Sequence, residues 1–164
     1  MTSTLFSGSL KSALGLTREM VVVTQGVSSL FDAETERSGG ALCFFGHDGS
    51  WHQIAVIGNP GVDEKRFMDN AFNKCSAMFE TDEKTSSFPI ANPEAIPPVY
   101  PGGIRLSTGD FLAFSGYPPL WDEALCIALA RRFNLITELQ MGVIVCLSRN
   151  LYFHRAEALF AQAA

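Results

Sequence analysis

The chain has 164 residues, of which 47% are hydrophobic, and a formal net charge of −5 at pH 7. This length and apolar content predict one globular domain over residues 1–164, long enough to bury a sizeable core. The acidic balance disfavours a nucleic-acid partner, because proteins that bind phosphate backbones carry clustered Lys and Arg. The apolar runs are too short to span a bilayer, so no membrane partner is expected.

Four cysteines lie inside apolar segments, without a CxxC pair and without histidine at zinc-finger spacing. Free cysteine is among the residues most often buried, so we expect Cys43, Cys75, Cys126 and Cys146 to be core thiols. The first twenty residues lack the basic and apolar regions of a secretory signal. Reduced thiols without an export signal predict a cytoplasmic location.

The beginning of the chain predicts three elements. Segment 1–17 carries apolar residues near helical spacing, which predicts either a docking helix or a flexible arm. A β-branched run predicts a strand over 20–24. A short helix is expected over 27–37, ended by the glycines that follow it.

Two segments predict β-hairpins. Residues 41–46 and 51–57 are apolar runs joined by an Asp-Gly step, which readily takes the positive φ angles of a tight turn. Residues 103–107 and 111–115, joined by Thr-Gly-Asp, repeat this pattern. Hairpins pair their strands antiparallel, so the predicted class is α+β rather than a parallel nucleotide-binding sheet.

A helix and a long loop are expected between the two hairpins. Residues 63–79 carry one apolar stripe at helical spacing, and the charged residues, including Lys65 and Lys74, are assigned to a solvated face. Segment 81–101 holds five of the eight prolines. Proline lacks the amide proton that helices and central strands need, so this segment predicts a long loop, often a lid or a partner contact.

The last third of the chain predicts a helix, a strand and a helix. Prolines at 118–119 favour a helix start, and Asp122 and Glu123 in the first turn complement the helix dipole. An apolar run predicts a buried strand over 141–147, and residues 151–163 are expected to form the final helix.

A few polar residues are candidates for chemistry. Arg105 lies inside an apolar strand, where it is either a solvent charge on an edge strand or an anion anchor below the proline-rich loop. His47 and His52 flank the first hairpin turn, where they are either exposed polar residues or an imidazole pair that could bind a metal or haem iron, although no metal-site spacing is present. Ser115 lacks the GxSxG context of a nucleophile. No base and nucleophile pair can be named, so catalytic activity stays open.

The order of several short motifs is informative over residues 39–133. They are a lysine-bearing helix from Lys65-Arg66 to Phe72-Asn73-Lys74-Cys75-Ser76, a Gly-Gly element at 101–104, and Phe114-Ser115-Gly116 followed by Asp122-Glu123-Ala124. This order resembles the family of haem-binding-protein-S, GlcG-like and PduO C-terminal domains, in its uncharacterised branch. The chain departs from the family in the first hairpin turn and at Arg105, where the family carries proline.

The resemblance implies an α+β two-layer sandwich in which an antiparallel sheet of about five strands, in a profilin-like arrangement, is packed with helices. It also implies a homo-oligomer that binds a small molecule, either haem or an anionic metabolite. The expected ligand-binding residues are Lys65, Arg105, Ser115, His47 and His52. The alternative is a protein-interaction or assembly module without catalytic activity, acting through the 81–101 loop and the terminal segments.

Composition bears on assembly as well. The chain holds 13 phenylalanines and has a positive mean hydropathy of 0.15. A small monomer seldom hides that much apolar surface alone, so we expect some of it to be buried between subunits.

Overall fold

The computed structural model describes residues 2–163, with side chains from residue 13 onward, as five helices and four strands. The helices are α1 Thr2–Thr35, α2 Glu64–Thr81, α3 Pro119–Arg132, α4 Glu138–Ser148 and α5 Phe153–Ala163. The strands are β1 Gly40–Phe45, β2 His52–Ile57, β3 Gly103–Arg105 and β4 Phe111–Ser115.

The four strands form one antiparallel sheet in the order β2-β1-β4-β3. Both predicted hairpins are confirmed, with Gly40 opposite Ile57 in the first and Arg105 opposite Phe111 in the second. β1 and β4 pair at the centre, which leaves β2 and β3 as the edges. The α+β class with an antiparallel sheet is therefore confirmed, but the sheet has four strands rather than about five.

The strand predicted over 20–24 and the short helix predicted over 27–37 are corrected by α1, one continuous helix through both segments. Met20, Thr24, Val27 and Phe31 are all fully buried, and their spacing of four, three and four is helical. The Thr24 hydroxyl donates to the Met20 carbonyl at 2.7 Å, a bond made within a helix. Burial along this stripe outweighs the β preference of the valines between them.

The segment predicted as arm or docking helix is the beginning of α1. Its backbone is helical from residue 2 to residue 17. The side chains of residues 1–12, including Leu5, Phe6 and Leu10, lie outside the described part, so a docking role there stays a prediction.

The strand predicted over 141–147 is also wrong, because these residues belong to α4. The Thr137 side chain accepts from the Gln140 amide, and the Gln140 side chain accepts from the Thr137 amide, which fixes the helix start as a capping box. Helical periodicity turns Cys146 toward solvent, whereas Cys43, Cys75 and Cys126 are buried as expected. The prediction of a core thiol at Cys146 is therefore corrected.

Helices cover both faces of the sheet, so a third layer is added to the expected two-layer sandwich. α2 lies across one face and contacts all four strands, while α1 and α3 lie on the other and α5 packs behind α3. Side chains alternate along β1: Leu42 and Phe44 join the core beneath α1 and α3, and Ala41 and Cys43 join the core beneath α2.

Segment 81–101 is a long connection, as predicted, closed on itself by backbone hydrogen bonds such as those between Asn92 and Val99. The Ser87 hydroxyl accepts from the Gly103 amide and donates to the Tyr100 carbonyl, which ties the loop to the start of β3. Within the described residues, no helix has the length and apolar character that crossing a bilayer requires.

Candidate functional site

A buried ion pair joins α2 to α3 at the end of β4. The Lys74 ammonium donates to Asp122 Oδ2 at 3.1 Å and to the Phe114 carbonyl at 2.6 Å. Asp122 Oδ1 accepts from the Tyr117 amide at 2.9 Å. Lys74 is 1% exposed and Asp122 is 3% exposed. Charged residues are rarely buried to this degree unless they are paired, and this pair satisfies both charges.

The position of Lys74 follows from the periodicity of α2. Ala71, Lys74, Cys75 and Met78 are its four buried residues, and they occupy one stripe that faces the sheet. The lysine stem therefore lies in the core, and its ammonium reaches the end of β4. The assignment of Lys74 to a solvated face is wrong for this reason.

Gly102 leaves the space that this ion pair needs. Its φ is +122°, and a Cβ there would lie 2.7 Å from Lys74 Nζ and 2.7 Å from Asp122 Cβ. A side chain at this position would displace the Lys74 ammonium and the Asp122 side chain from each other. The Gly-Gly element before β3 thus has a steric role beside the buried pair.

A cavity of about 200 Å³ opens beside this pair. Lys74, Asp122 and Ser115 lie at its inner side, and two exposed guanidinium groups, Arg37 and Arg66, lie at its rim. The remaining lining residues are Phe67, Asn70, Tyr100, Gly116, Tyr117 and Pro119. Three cationic side chains and one carboxylate give the lining a net positive charge.

Hydrogen bonds fix one wall of the cavity. The Tyr117 hydroxyl donates to Asp32 at 2.7 Å, and the same Asp32 oxygen accepts from the Gly39 amide at 2.9 Å. Burial, the hydrogen bond to Asp32 and nearby carboxylates raise the pKa of Tyr117, so it stays a neutral phenol. Tyr100, near the end of the proline-rich loop, also lines the cavity.

Two neighbouring carboxyl groups on α3 are strongly perturbed by burial. Burial raises the pKa of Asp122 to about 7, and the Lys74 ammonium opposes this rise. Burial also raises the pKa of Glu123 to about 7, opposed by hydrogen bonds from Ser148 and Asn150. Glu123 Oε1 accepts from the Ser148 hydroxyl at 2.6 Å, while Oε2 has no hydrogen-bond partner among the described residues.

Of the residues predicted to bind ligand, Ser115 lines this cavity, and Lys65 and Arg105 do not. Lys65 is exposed and pairs with Asp69 one helical turn away at 2.9 Å. Arg105 lies on an edge strand and points to the face opposite Ile104, as the alternation predicts. Its guanidinium donates to Asp82 at 3.0 Å and lies 5.1 Å from the Phe111 ring centre, so its anionic partner is supplied by the chain itself.

The two predicted histidines stay on the first hairpin, away from the cavity. His47 Nδ1 lies 3.2 Å from Asp110, and the His52 ring contacts Phe72 with 5.0 Å between ring centres. Among the described residues, no group of three or more His, Cys, Asp and Glu side chains could hold a metal ion.

Sequence reasoning missed most of the cavity. It assigned Lys74 to solvent and Asp122 to the helix dipole, and it gave no role to Arg37 or Arg66. A usable signal is nevertheless present: Lys74 stands at i+3 from Ala71 and i−4 from Met78, inside an otherwise apolar stripe. A charge in such a stripe needs a buried partner, but the stripe does not say which residue supplies it.

Comparisons with protein-family models, with curated proteins and with solved structures find no match to this chain. The family resemblance stays a prediction, and the cavity is the feature of the chain that bears on its function.

Proposed function

We propose that this chain binds a small anionic metabolite, carrying a carboxylate or phosphate group, in the cavity between α2 and α3. The observation that carries the proposal is the charge of the lining, where three cationic side chains meet one carboxylate. Lys74 already neutralises Asp122 at 3.1 Å, so an incoming anion would meet the Arg37 guanidinium and the Arg66 guanidinium, which is in an exposed pair with Asp63. Guanidinium binds carboxylate and phosphate in a bidentate way, with charge-assisted hydrogen bonds.

The surroundings of the two arginines add to this argument. Pro119, the first residue of α3, lines the cavity, so the positive end of that helix dipole lies beside it. Arg66 is held by Asp63 at 3.0 Å in an exposed pair. An exposed ion pair is weak, so a ligand anion that is partly enclosed can compete with Asp63 for this guanidinium.

The size of the cavity favours a metabolite over haem. About 200 Å³ is below the roughly 300–1,000 Å³ typical of sites for drug-sized ligands. Its lining contains neither histidine, cysteine nor methionine, the side chains that most often ligate haem iron. Tyr117 is engaged with Asp32. The volume and the lining therefore favour a small anion over haem.

The alternative of an interaction module is supported by a different observation, the apolar outward face of α4, where Leu139 is 79% exposed. Ligand binding and assembly use separate surfaces and are compatible. Homo-oligomerisation and a cytoplasmic location stay predictions.

Isothermal titration calorimetry with inorganic phosphate and with succinate tests the proposal. We expect saturable binding of at least one of them to the unmodified chain, and a loss of about tenfold in affinity for Arg37→Gln and for Arg66→Gln, because each removes one charge-assisted contact. Arg132→Gln is the matched control, since Arg132 is an exposed arginine that does not line the cavity. Equal affinities in all four proteins, or no saturable heat with either probe, would contradict the proposal.

A further inference from the structure

The outward side of α4 is an apolar surface that no described side chain covers. Leu139, Val143 and Leu147 are 79%, 40% and 47% exposed. With Gly142 and Cys146 they line a shallow groove of about 360 Å³ along the helix. We call these five residues the α4 face. Scattered exposed apolar residues are ordinary, but contiguous ones on a single helix face mark interaction surfaces.

This face is presented in a fixed orientation, because α4 is anchored on its other side. Ile144 is 1% exposed and belongs to the core, and the Ser148 hydroxyl donates to the buried Glu123 at 2.6 Å. At the start of the helix, Glu138 accepts from Arg131 at 2.9 Å. A partner therefore binds a preformed surface, and little conformational entropy is lost on binding.

We propose that the α4 face is the contact between two copies of this chain, with the two α4 helices packed antiparallel about a two-fold axis near Val143. An isologous contact uses the same patch on both copies, so one self-complementary helix face is sufficient to build it. Antiparallel packing about Val143 places Leu139 of one copy opposite Leu147 of the other. The α4 face shares no residue with the cavity that is proposed to bind the anion.

The charges at the ends of α4 select the antiparallel arrangement. Glu138 is its first residue and is 73% exposed although it pairs with Arg131, and the exposed Arg149 follows the last residue. Glu138 lies five positions before Val143, and Arg149 lies six positions after it. With the two-fold axis at Val143, Glu138 of one copy and Arg149 of the other therefore lie at nearly the same height along the helices, about 1.5 Å apart in that direction. Parallel packing would bring like charges together at each end, and it would align the two helix dipoles.

The shape of the face suits close packing of this kind. Gly142 has nothing within 4 Å of the position that a Cβ would take, so the surface is open beside Val143. A side chain from the second copy can enter there, as one ridge enters a neighbouring groove. One short helix from each copy covers less than the roughly 1,600 Å² of a standard interface, so we expect micromolar dissociation.

Sedimentation velocity over a concentration series, reaching about 100 μM, gives the first test. We expect the unmodified chain to form a dimer and Val143→Lys to shift the mass to a single chain at every concentration, with unchanged far-UV circular dichroism. The matched control is Val62→Lys, which changes an equally apolar and fully exposed valine in the turn before α2 and leaves the dimer intact. A single-chain mass for the unmodified protein at every concentration would overturn the proposal, as would a dimer that Val143→Lys does not weaken.

Disulfide crosslinking tests the orientation of the helices. In a Cys146→Ser background, Val143→Cys places two thiols at the axis, and mild oxidation is expected to join them. Leu139→Cys is the control, since two such residues are eight positions, or about 12 Å, apart along antiparallel helices, beyond the roughly 7 Å limit between Cα atoms. The three other cysteines are buried and do not compete. Crosslinking of Leu139→Cys that equals that of Val143→Cys would show parallel packing and reject the arrangement.

Discussion

Lys74 and Asp122 form one ion pair, and Arg105 and Asp82 form another, with N–O distances of 3.1 and 3.0 Å. The first is almost fully buried, whereas the Asp82 side chain is 69% exposed. Burial raises the pKa of Asp122, while hydrogen bonds from Lys84 and then Arg105 lower the pKa of Asp82. The same chemistry therefore has different consequences: the buried pair is costly to break and joins two helices, whereas the second pair, in which Arg105 is 19% exposed and Asp82 faces water, is partly screened by solvent.

The largest effect is expected from Lys74→Met, which leaves Asp122 buried without the cation that favours its ionised form. Removing one partner of a buried pair costs about 3–5 kcal/mol, which corresponds to a fall in Tm of roughly 10 °C for a chain of this size. Lys65→Met, on the exposed side of the same helix, is the matched control and should leave Tm nearly unchanged. Thermal unfolding followed by circular dichroism measures both.

A double variant sharpens this prediction. In Lys74→Met with Asp122→Asn, no charge remains buried, and the asparagine oxygen can still accept from the Tyr117 amide. We expect part of the lost stability to return. If Lys74→Met alone were as stable as the unmodified chain, the buried pair would have no structural role.

Glu123 gives a second effect of burial, which depends on pH. Its pKa rises from 4.5 in the unfolded chain to about 7 in the folded one. The folded state therefore holds its proton over a range where the unfolded state has released it. The contribution of the neutral Glu123 carboxyl to the free energy of unfolding is complete below about pH 4.5. It decreases as pH rises above this value and is lost once pH passes about 7. Asp122 contributes a change of the same sign.

Glu123→Gln removes this titration, since an amide stays neutral throughout. We expect the fall in the free energy of unfolding between pH 5 and 7 to become shallower, by at most about 1.4 kcal/mol per pH unit, because one proton is no longer released on unfolding. Glu80→Gln, at an exposed position of α2, should leave this fall unchanged. Urea unfolding at several pH values provides the measurement, and an unchanged slope in Glu123→Gln would contradict the assignment.

The smallest effect is expected from Arg105→Gln. The Arg105 guanidinium donates hydrogen bonds to Asp82 and to the Glu83 carbonyl. Arg105 does not line the cavity. The affinity for phosphate or succinate should equal that of the unmodified chain, and Tm should change little. A clear loss of affinity, measured by calorimetry beside Arg66→Gln, would return Arg105 to the role of anion anchor below the proline-rich loop.

The parts of the fold that follow from sequence are those in which local signals agree with the tertiary context. The Asp48-Gly49 turn, with Gly49 at a φ of +74°, and the apolar stripe of α2 are examples. The runs at 20–24 and 141–147 show the reverse. Their β-branched residues favour a strand, but burial along α1 and the capping box of α4 make both helical.

The candidate site is harder to predict, because it is assembled by long-range contacts. Lys74 and Asp122 are 48 positions apart, and Arg37 comes from the end of α1. Composition and periodicity report whether a position faces the core, but they do not report which distant group lies opposite it. The resemblance places Ser115 among the expected ligand residues, and Ser115 lines the cavity, whereas Arg105, expected from its place inside an apolar strand, lies on an edge strand.

The most direct test of the anion site is a titration of the ¹⁵N-labelled chain with phosphate and with succinate, followed by amide chemical shifts. The account predicts saturable shifts at Gly116 and Tyr117, which line the cavity, and none at Arg105. The same shifts should weaken in the variant that carries both Arg37→Gln and Arg66→Gln. No saturable change at Gly116 and Tyr117, or saturable changes centred on Arg105, would contradict the claim that the cavity beside Lys74 and Asp122 binds the anion.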